Sequence, residues 1–223
     1  YYAGAAWYQR DVEIPADWKD KRVVLSLERP HWETRIWVDD QLIGTNNSLA
    51  TPHEFDLGRL APGKHRLTIR VDNRLVVDVG ENSHSVSDHT QGNWNGIVGK
   101  MELRATPLVW IEEVQVFPNM TGRNTRVRVH VGNATGMGAA GKISLFVTET
   151  QGAPLPVSLN FNTPEKAFDV EMEIPLGAFA KSWDEFSPFL YRIKIEIRGE
   201  SGSVPFEDVR VVHLGLRDIS TAG

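Results

Sequence analysis

Arg35-Ile36-Trp37-Val38-Asp39-Asp40-Gln41-Leu42-Ile43-Gly44 decides the fold. Apolar, partly β-branched residues run up to a pair of aspartates and resume directly after it. Asp side chains hydrogen-bond their own backbone and favour tight turns, so the stretch reads as a β-hairpin. Outward from it the same texture recurs. Ala6–Ile14, Val23–Glu28, His65–Asp72 and Gly99–Leu103 alternate apolar with polar residues or are dense in Val and Ile, and helical periodicity is scarce. Leu60-Ala61-Pro62-Gly63-Lys64 is a turn that feeds the strand beginning at His65. Short strands separated by turn residues predict a β-sandwich or jelly roll for the first half.

A boundary falls near Ala105-Thr106-Pro107. Beyond it, Val109–Phe117, Thr125–Val131, Lys142–Thr148, Ala167–Ile174, Leu190–Ile197 and Phe206–Leu214 read as strands at the spacing of an immunoglobulin-like sandwich. The Gly-rich run Gly132–Gly141 lies between two good strands and is expected to be a long hairpin loop. The chain therefore reads as all-β, with one domain over 1–107 and a second over 108–223.

Composition narrows the function. The chain has 223 residues, 41% of them hydrophobic, enough to build sizeable cores. It has no cysteine, which removes disulfides, thiol nucleophiles and cysteine-ligated zinc. That leaves the compartment open, a periplasmic or secreted location included. A net charge of -5 without a clustered basic face argues against nucleic acid. No apolar run approaches the roughly 18 residues a membrane helix needs. His84 and His89 have no third ligand at a clear spacing, and there is no His-Glu-x-x-His motif, so neither a metal nor another cofactor is expected. No Gly-x-Ser-x-Gly elbow is present, so a serine hydrolase triad has no support.

Residues Val76–Asn93 break the strand pattern. They are polar, rich in Ser, Asn, His and Asp, and longer than an ordinary connection, the profile of a functional loop. From Ser83 to Asn95, hydrogen-bonding side chains sit beside one aromatic, Trp94. Sugar recognition wants that mixture: Asp, Asn and Gln meet paired hydroxyls, and an aromatic face covers the C–H side of the ring. Trp94 itself, next to the closing strand, reads as core. Trp32 reads as a loop tip or an interdomain contact.

Several segments resemble the N-terminal half of glycoside hydrolase family 2, the group of β-galactosidases, β-glucuronidases and β-mannosidases. Gly4-Ala5-Ala6-Trp7-Tyr8-Gln9-Arg10 resembles the strand that opens the conserved part of the family's sugar-binding domain. Glu33–Gly44 resembles its W-V-N-G-x-x-V-G hairpin, with Val38-Asp39-Asp40 in place of V-N-G. Pro52-His53-Glu54-Phe55-Asp56-Leu57 resembles the F-D-L that follows, and Asn93–Leu103 the closing Gly-Ile strand. Ser182–Tyr191 resembles the W-x-P-x-x-P-x-L-Y start of a strand in the family's sandwich domain, and Leu214–Ile219 its G-F-R-x-I exit.

The resemblance implies a galactose-binding-like jelly roll, lacking its first strands, followed by an immunoglobulin-like β-sandwich. In the family the exit motif leads into a catalytic barrel carrying both glutamates, so the resemblance implies a non-catalytic fragment whose partners are that C-terminal barrel and a carbohydrate substrate. Self-association is the remaining expectation. By the same resemblance, Asp88, Gln91, Asn93 and Asn95 line the subsite for the non-reducing sugar. Many members place an aspartate six residues before the Gly-Ile pair; here that position is Thr90, with Asp88 earlier.

Retaining hydrolysis needs two carboxyls about 5–5.5 Å apart. The pairs Asp39-Asp40, Glu112-Glu113 and Asp184-Glu185 are adjacent, and neighbours on a strand point to opposite faces, so none is expected to supply them. β-Galactosidase is the first expectation for the parent enzyme, on the Asn93–Gly99 segment and the lack of Arg or Lys in Ser83–Asn95. A free-standing carbohydrate-binding module and an adhesive pair of sandwiches are the alternatives.

Overall fold

The computed structural model describes residues 2–75, 78, 80, 94–148, 156–164 and 166–218. The chain divides into two compact units, Tyr1–Thr106 and Pro107–Gly223. Each is all-β and fully antiparallel in its described strands.

The first unit is a jelly roll. Its strands are β1 (Ala5–Ile14), β2 (Arg22–His31), β3 (Glu33–Val38), β4 (Gln41–Asn46), β5 (His53–Gly58), β6 (Gly63–Asp72) and β7 (Gly96–Thr106). They form two sheets, ordered β1-β6-β3-β4 and β5-β2-β7. Period-2 patterning decides which side chains face inward: in β5, His53, Phe55 and Leu57 are buried while Glu54, Asp56 and Gly58 are exposed. Ile14, Val23, Leu25, Leu27, Ile36, Val38, Leu67, Ile69 and Val71 complete the core.

The expected hairpin is β3–β4, with Asp39 at φ 52° in the turn. Asp39 does more than turn the chain. Its carboxylate accepts from the Arg66 backbone N–H at 2.8 Å and from His65 Nδ1 at 3.0 Å, clipping the turn to β6. The Arg66 N–H and then His65 hold this carboxyl below its usual range. Inside the unit, Thr34 Oγ1 and His53 Nδ1 lie 2.7 Å apart, and His53 Nε2 lies 2.7 Å from the Ser48 carbonyl. A carbonyl can only accept, so Nε2 carries the proton and the Thr34 hydroxyl donates to Nδ1.

The second unit is an immunoglobulin-like sandwich. Its strands are β8 (Val109–Asn119), β9 (Asn124–Asn133), β10 (Ala139–Thr148), β11 (Val157–Thr163), β12 (Phe168–Pro175), β13 (Tyr191–Ser201) and β14 (Val204–Leu214). They pack as a three-stranded sheet, β12-β9-β8, on a four-stranded sheet, β11-β10-β13-β14. Val127, Val129, Val131, Ile143, Leu145, Ile193, Ile195 and Ile197 are buried between them.

Gly141 and Gly199 face each other across β10 and β13, and a Cβ on either would collide with the opposing backbone. Phe161 and Phe206, paired with these glycines from β11 and β14, lie over the gap with ring centroids 6.3 Å apart. Tyr191 is buried, and its hydroxyl accepts from the Lys181 N–H at 2.5 Å and donates to the Lys181 carbonyl at 3.1 Å. One side chain thereby ties down the segment that precedes its own strand.

Four local expectations are corrected. The Gly132–Gly141 region does not close a hairpin: β9 and β10 belong to different sheets, so the chain crosses the sandwich there. Trp32 is not a loop tip. It is 4% exposed, and its Nε1–H donates to the Asn47 carbonyl at 2.6 Å. Glu112 and Glu113 do not simply alternate, because a bulge shifts the register between Ile111 and Glu113. An extra residue in a bulge is re-aimed, and both glutamates end beside His130. β11 adds an edge strand that the patterning of Val157–Thr163 does not announce, since Leu159 stays 46% exposed.

Candidate functional site

In the chain, the polar segment 76–93 lies between the end of β6 and the residues Trp94 and Asn95 that lead into β7. Its roots are therefore a sheet end and the start of a strand. Asp88, Gln91 and Asn93 lie outside the described residues, as do His84 and His89. Asn95 is described, and it is exposed at the root.

Asn73, the first residue after β6, organises that root. Its Nδ2 donates to Asn95 Oδ1 at 2.5 Å and to the Tyr2 carbonyl at 2.7 Å. Its Oδ1 accepts from the Gly4 N–H at 2.7 Å. One side chain thus holds together the start of the chain, the end of β6 and the return of the polar segment. Trp94 is half-buried rather than core: its Nε1–H donates to the Arg29 carbonyl at 3.1 Å, and its ring meets the His31 ring edge-on at 5.7 Å.

Beside this clamp lies a charge cluster. Asp72 is buried, and its carboxylate accepts from Arg74 Nε at 2.9 Å, Arg74 Nη2 at 2.5 Å and the Arg74 backbone N–H at 3.1 Å. Arg70 also donates to it and reaches Glu33 Oε1 at 2.9 Å, where Arg35 Nε joins at 3.0 Å. The Arg74 hydrogen bonds, more than any other cause, bring the Asp72 carboxyl down to about 2. Three guanidiniums against two carboxylates leave this end of the sheet with one positive charge. Sequence spacing hints at it only through the alternation Arg70, Asp72, Arg74, since Glu33 and Arg35 arrive from a neighbouring strand.

A second group of titratable side chains lies on the outer face of β12-β9-β8. Glu113, Gln115, Arg128, His130 and Asp169 line a shallow cleft of about 250 Å³. His130 bridges Asp169 at 2.9 Å and Glu112 at 3.5 Å, while Arg128 pairs with Glu171. Arg128 and Glu171 form a cross-strand ion pair between β9 and β12, the kind of pair that stabilises a sheet face. Among the described residues, no group of three or more His, Asp or Glu is arranged to hold a metal.

Known proteins supply a comparison. Residues 1–107 match the family model described as "Glycosyl hydrolases family 2, sugar binding domain". The large subunit of β-galactosidase from Lactobacillus acidophilus is 23% identical over 200 residues, which is 87% of this chain and 30% of that protein. Among solved structures, a GH2 β-galacturonidase from Eisenbergiella tayi, bound to galacturonate, superimposes with a TM-score of 0.74 at 23% identity, covering 100% of this chain and 37% of that one. A β-glucuronidase from Bacteroides uniformis gives a TM-score of 0.77 at 18% identity, covering 97% of this chain and 27% of the other. The chain thus spans well under half the length of each relative, and at these identities the structural likeness shows the fold.

Proposed function

Residues 1–107 are a sugar-binding domain of the glycosyl hydrolases family 2, and from that membership we propose that the chain is the non-catalytic N-terminal region of a longer glycosidase, a β-galactosidase in the first instance. The jelly roll presents the polar segment 76–95 to the sugar, and Asp88, Gln91, Asn93 and Asn95 hydrogen-bond its hydroxyls. The bond is cleaved by carboxyls in a C-terminal barrel. The role of this region is orientation: contacts away from the reacting atoms hold the glycosidic bond where the barrel's carboxyls can act.

The observation that carries this reading is the clamp of Asn73 on Asn95. A loop that reads a sugar has to start and end on rigid elements, and here both roots are fixed by one side chain at a sheet end.

The test uses the full-length enzyme and nitrophenyl glycosides of galactose, glucuronate, galacturonate and mannose. Galactoside cleavage is expected. Asn95→Ala and Asp88→Ala are expected to lower kcat/KM by about tenfold to a hundredfold, the effect of losing one or two positioning hydrogen bonds. Unchanged kcat/KM in both variants removes the loop from the substrate site, and cleavage of the glucuronide or the mannoside instead reassigns the activity.

A further inference from the structure

The outer face of the sheet β1-β6-β3-β4 carries a feature that this function does not use. Trp7 on β1 is 61% exposed, far from a core position. Its ring lies 5.4 Å from that of Trp37 on β3, with the planes 32° apart, so the two indoles lean on one another over β6 and Trp7 stays open to solvent. Leu42, 53% exposed and in register with Trp37, extends the apolar surface onto β4.

Polar side chains of the same face ring this surface. Gln9 Nε2 donates to Thr68 Oγ1 at 3.0 Å, and Arg35 gives Nε to Glu33 while its side chain stays 46% exposed. Arg70, in register with Trp7, joins the pair to the charge cluster at the root of the polar segment.

We infer that Trp7, propped by Trp37, stacks on the pyranose rings of a polysaccharide, with Gln9, Thr68 and Arg35 reading the hydroxyls beside it. The chemistry separates this occupant from a protein. Arg and Trp occur in protein interfaces too, so the separation rests on the hydrogen-bonding groups that share the face with Trp7, the Gln9 amide and the Thr68 hydroxyl. A sugar offers what this face matches: a C–H side for the indoles and hydroxyls for amide, hydroxyl and guanidinium groups. A flat sheet face suits an extended chain rather than one terminal residue. Residues 1–107 are, moreover, a sugar-binding domain.

Native electrophoresis of the 223-residue chain through gels containing galactomannan, arabinogalactan, xylan or polygalacturonate tests this. Retardation is expected in at least one gel. Trp7→Ala, whose exposure leaves the fold intact in a thermal melt, is expected to weaken it by about tenfold. Trp7→Phe, which keeps a stacking ring, is expected to retain most of it, and Phe179→Ala, which removes an exposed aromatic of the second unit, all of it. Normal mobility in all four gels overturns the inference. So does retardation that survives Trp7→Ala, or that Phe179→Ala abolishes. A dimer in sedimentation that Trp7→Ala dissociates overturns it as well, by making the face a contact between copies.

Discussion

Asp72→Asn tests whether the charge cluster at the root of the polar segment holds the end of the jelly roll together. The lowering of this carboxyl from its ordinary 3.8 to about 2 is worth about 2.4 kcal/mol if fully felt at neutral pH. Arg74, its main partner, has a side chain 64% exposed, and solvent screening reduces the value to about 1–2 kcal/mol. The amide keeps one acceptor oxygen but turns two donors toward guanidiniums, and Arg70 is left with Glu33 alone. A loss of about 2 kcal/mol at pH 7 is therefore expected. The sign of the pH dependence follows from a folded pKa below the unfolded one. The contribution is complete above pH 4 and disappears as pH falls through about 2. Urea titrations followed by tryptophan fluorescence at pH 7, 4, 3 and 2.5 should show the two proteins converging with acid. A variant within about 0.5 kcal/mol of the parent at pH 7 refutes the cluster as a stabilising element. A deficit that stays constant down to pH 2.5 refutes the electrostatic account.

Other consequences are as direct. Tyr191→Phe leaves the Lys181 N–H and carbonyl without their shared partner, and should cost about 1–3 kcal/mol in the unfolding transition of the second unit. Gly199→Ala puts a methyl 2.7 Å from the Gly141 Cα and 2.8 Å from the Phe206 ring. The nearest atom of all is the Ala140 backbone carbonyl oxygen, so a destabilisation of about 3 kcal/mol is expected, with little of it relieved by Phe206→Leu in a double-mutant cycle. Burial lowers the pKa of His53 below 6.5, so its neutral ring stabilises the jelly roll above that pH and the stability drains away as pH falls below it. In a pH series of denaturant melts, His53→Gln should flatten the slope between pH 6.5 and 5, and an unchanged slope assigns it to other groups.

How far the sequence could be read is visible in particular residues. Period-2 alternation marks β9 and β13 because one face of each is buried, and burial is what the alternation records, while β5 is visible only as a family-like motif. The same logic hides β11, an edge strand whose Leu159 remains exposed. It also misplaces Trp32, where flanking polar residues suggest a turn but the indole is packed inside with its N–H satisfied. In the candidate site, Asn95 and the polar composition of its loop are legible. Asn73 is not, since nothing in Val71-Asp72-Asn73-Arg74 says that its amide faces a residue far along the chain.

Alone, the sequence determined that the chain is all-β and which segments resemble a sugar-binding family. Each of these rests on local alternation, turn chemistry or motif order. Tertiary structure alone decided which strands pair, that the chain crosses between sheets after Asn133, that a bulge brings Glu112 and Glu113 beside one histidine, and that Glu33, Arg35, Arg70, Asp72 and Arg74 share a cluster. The physical reason is that pairing and register depend on the combined burial of strands distant in sequence. No local pattern encodes a neighbour that only folding supplies.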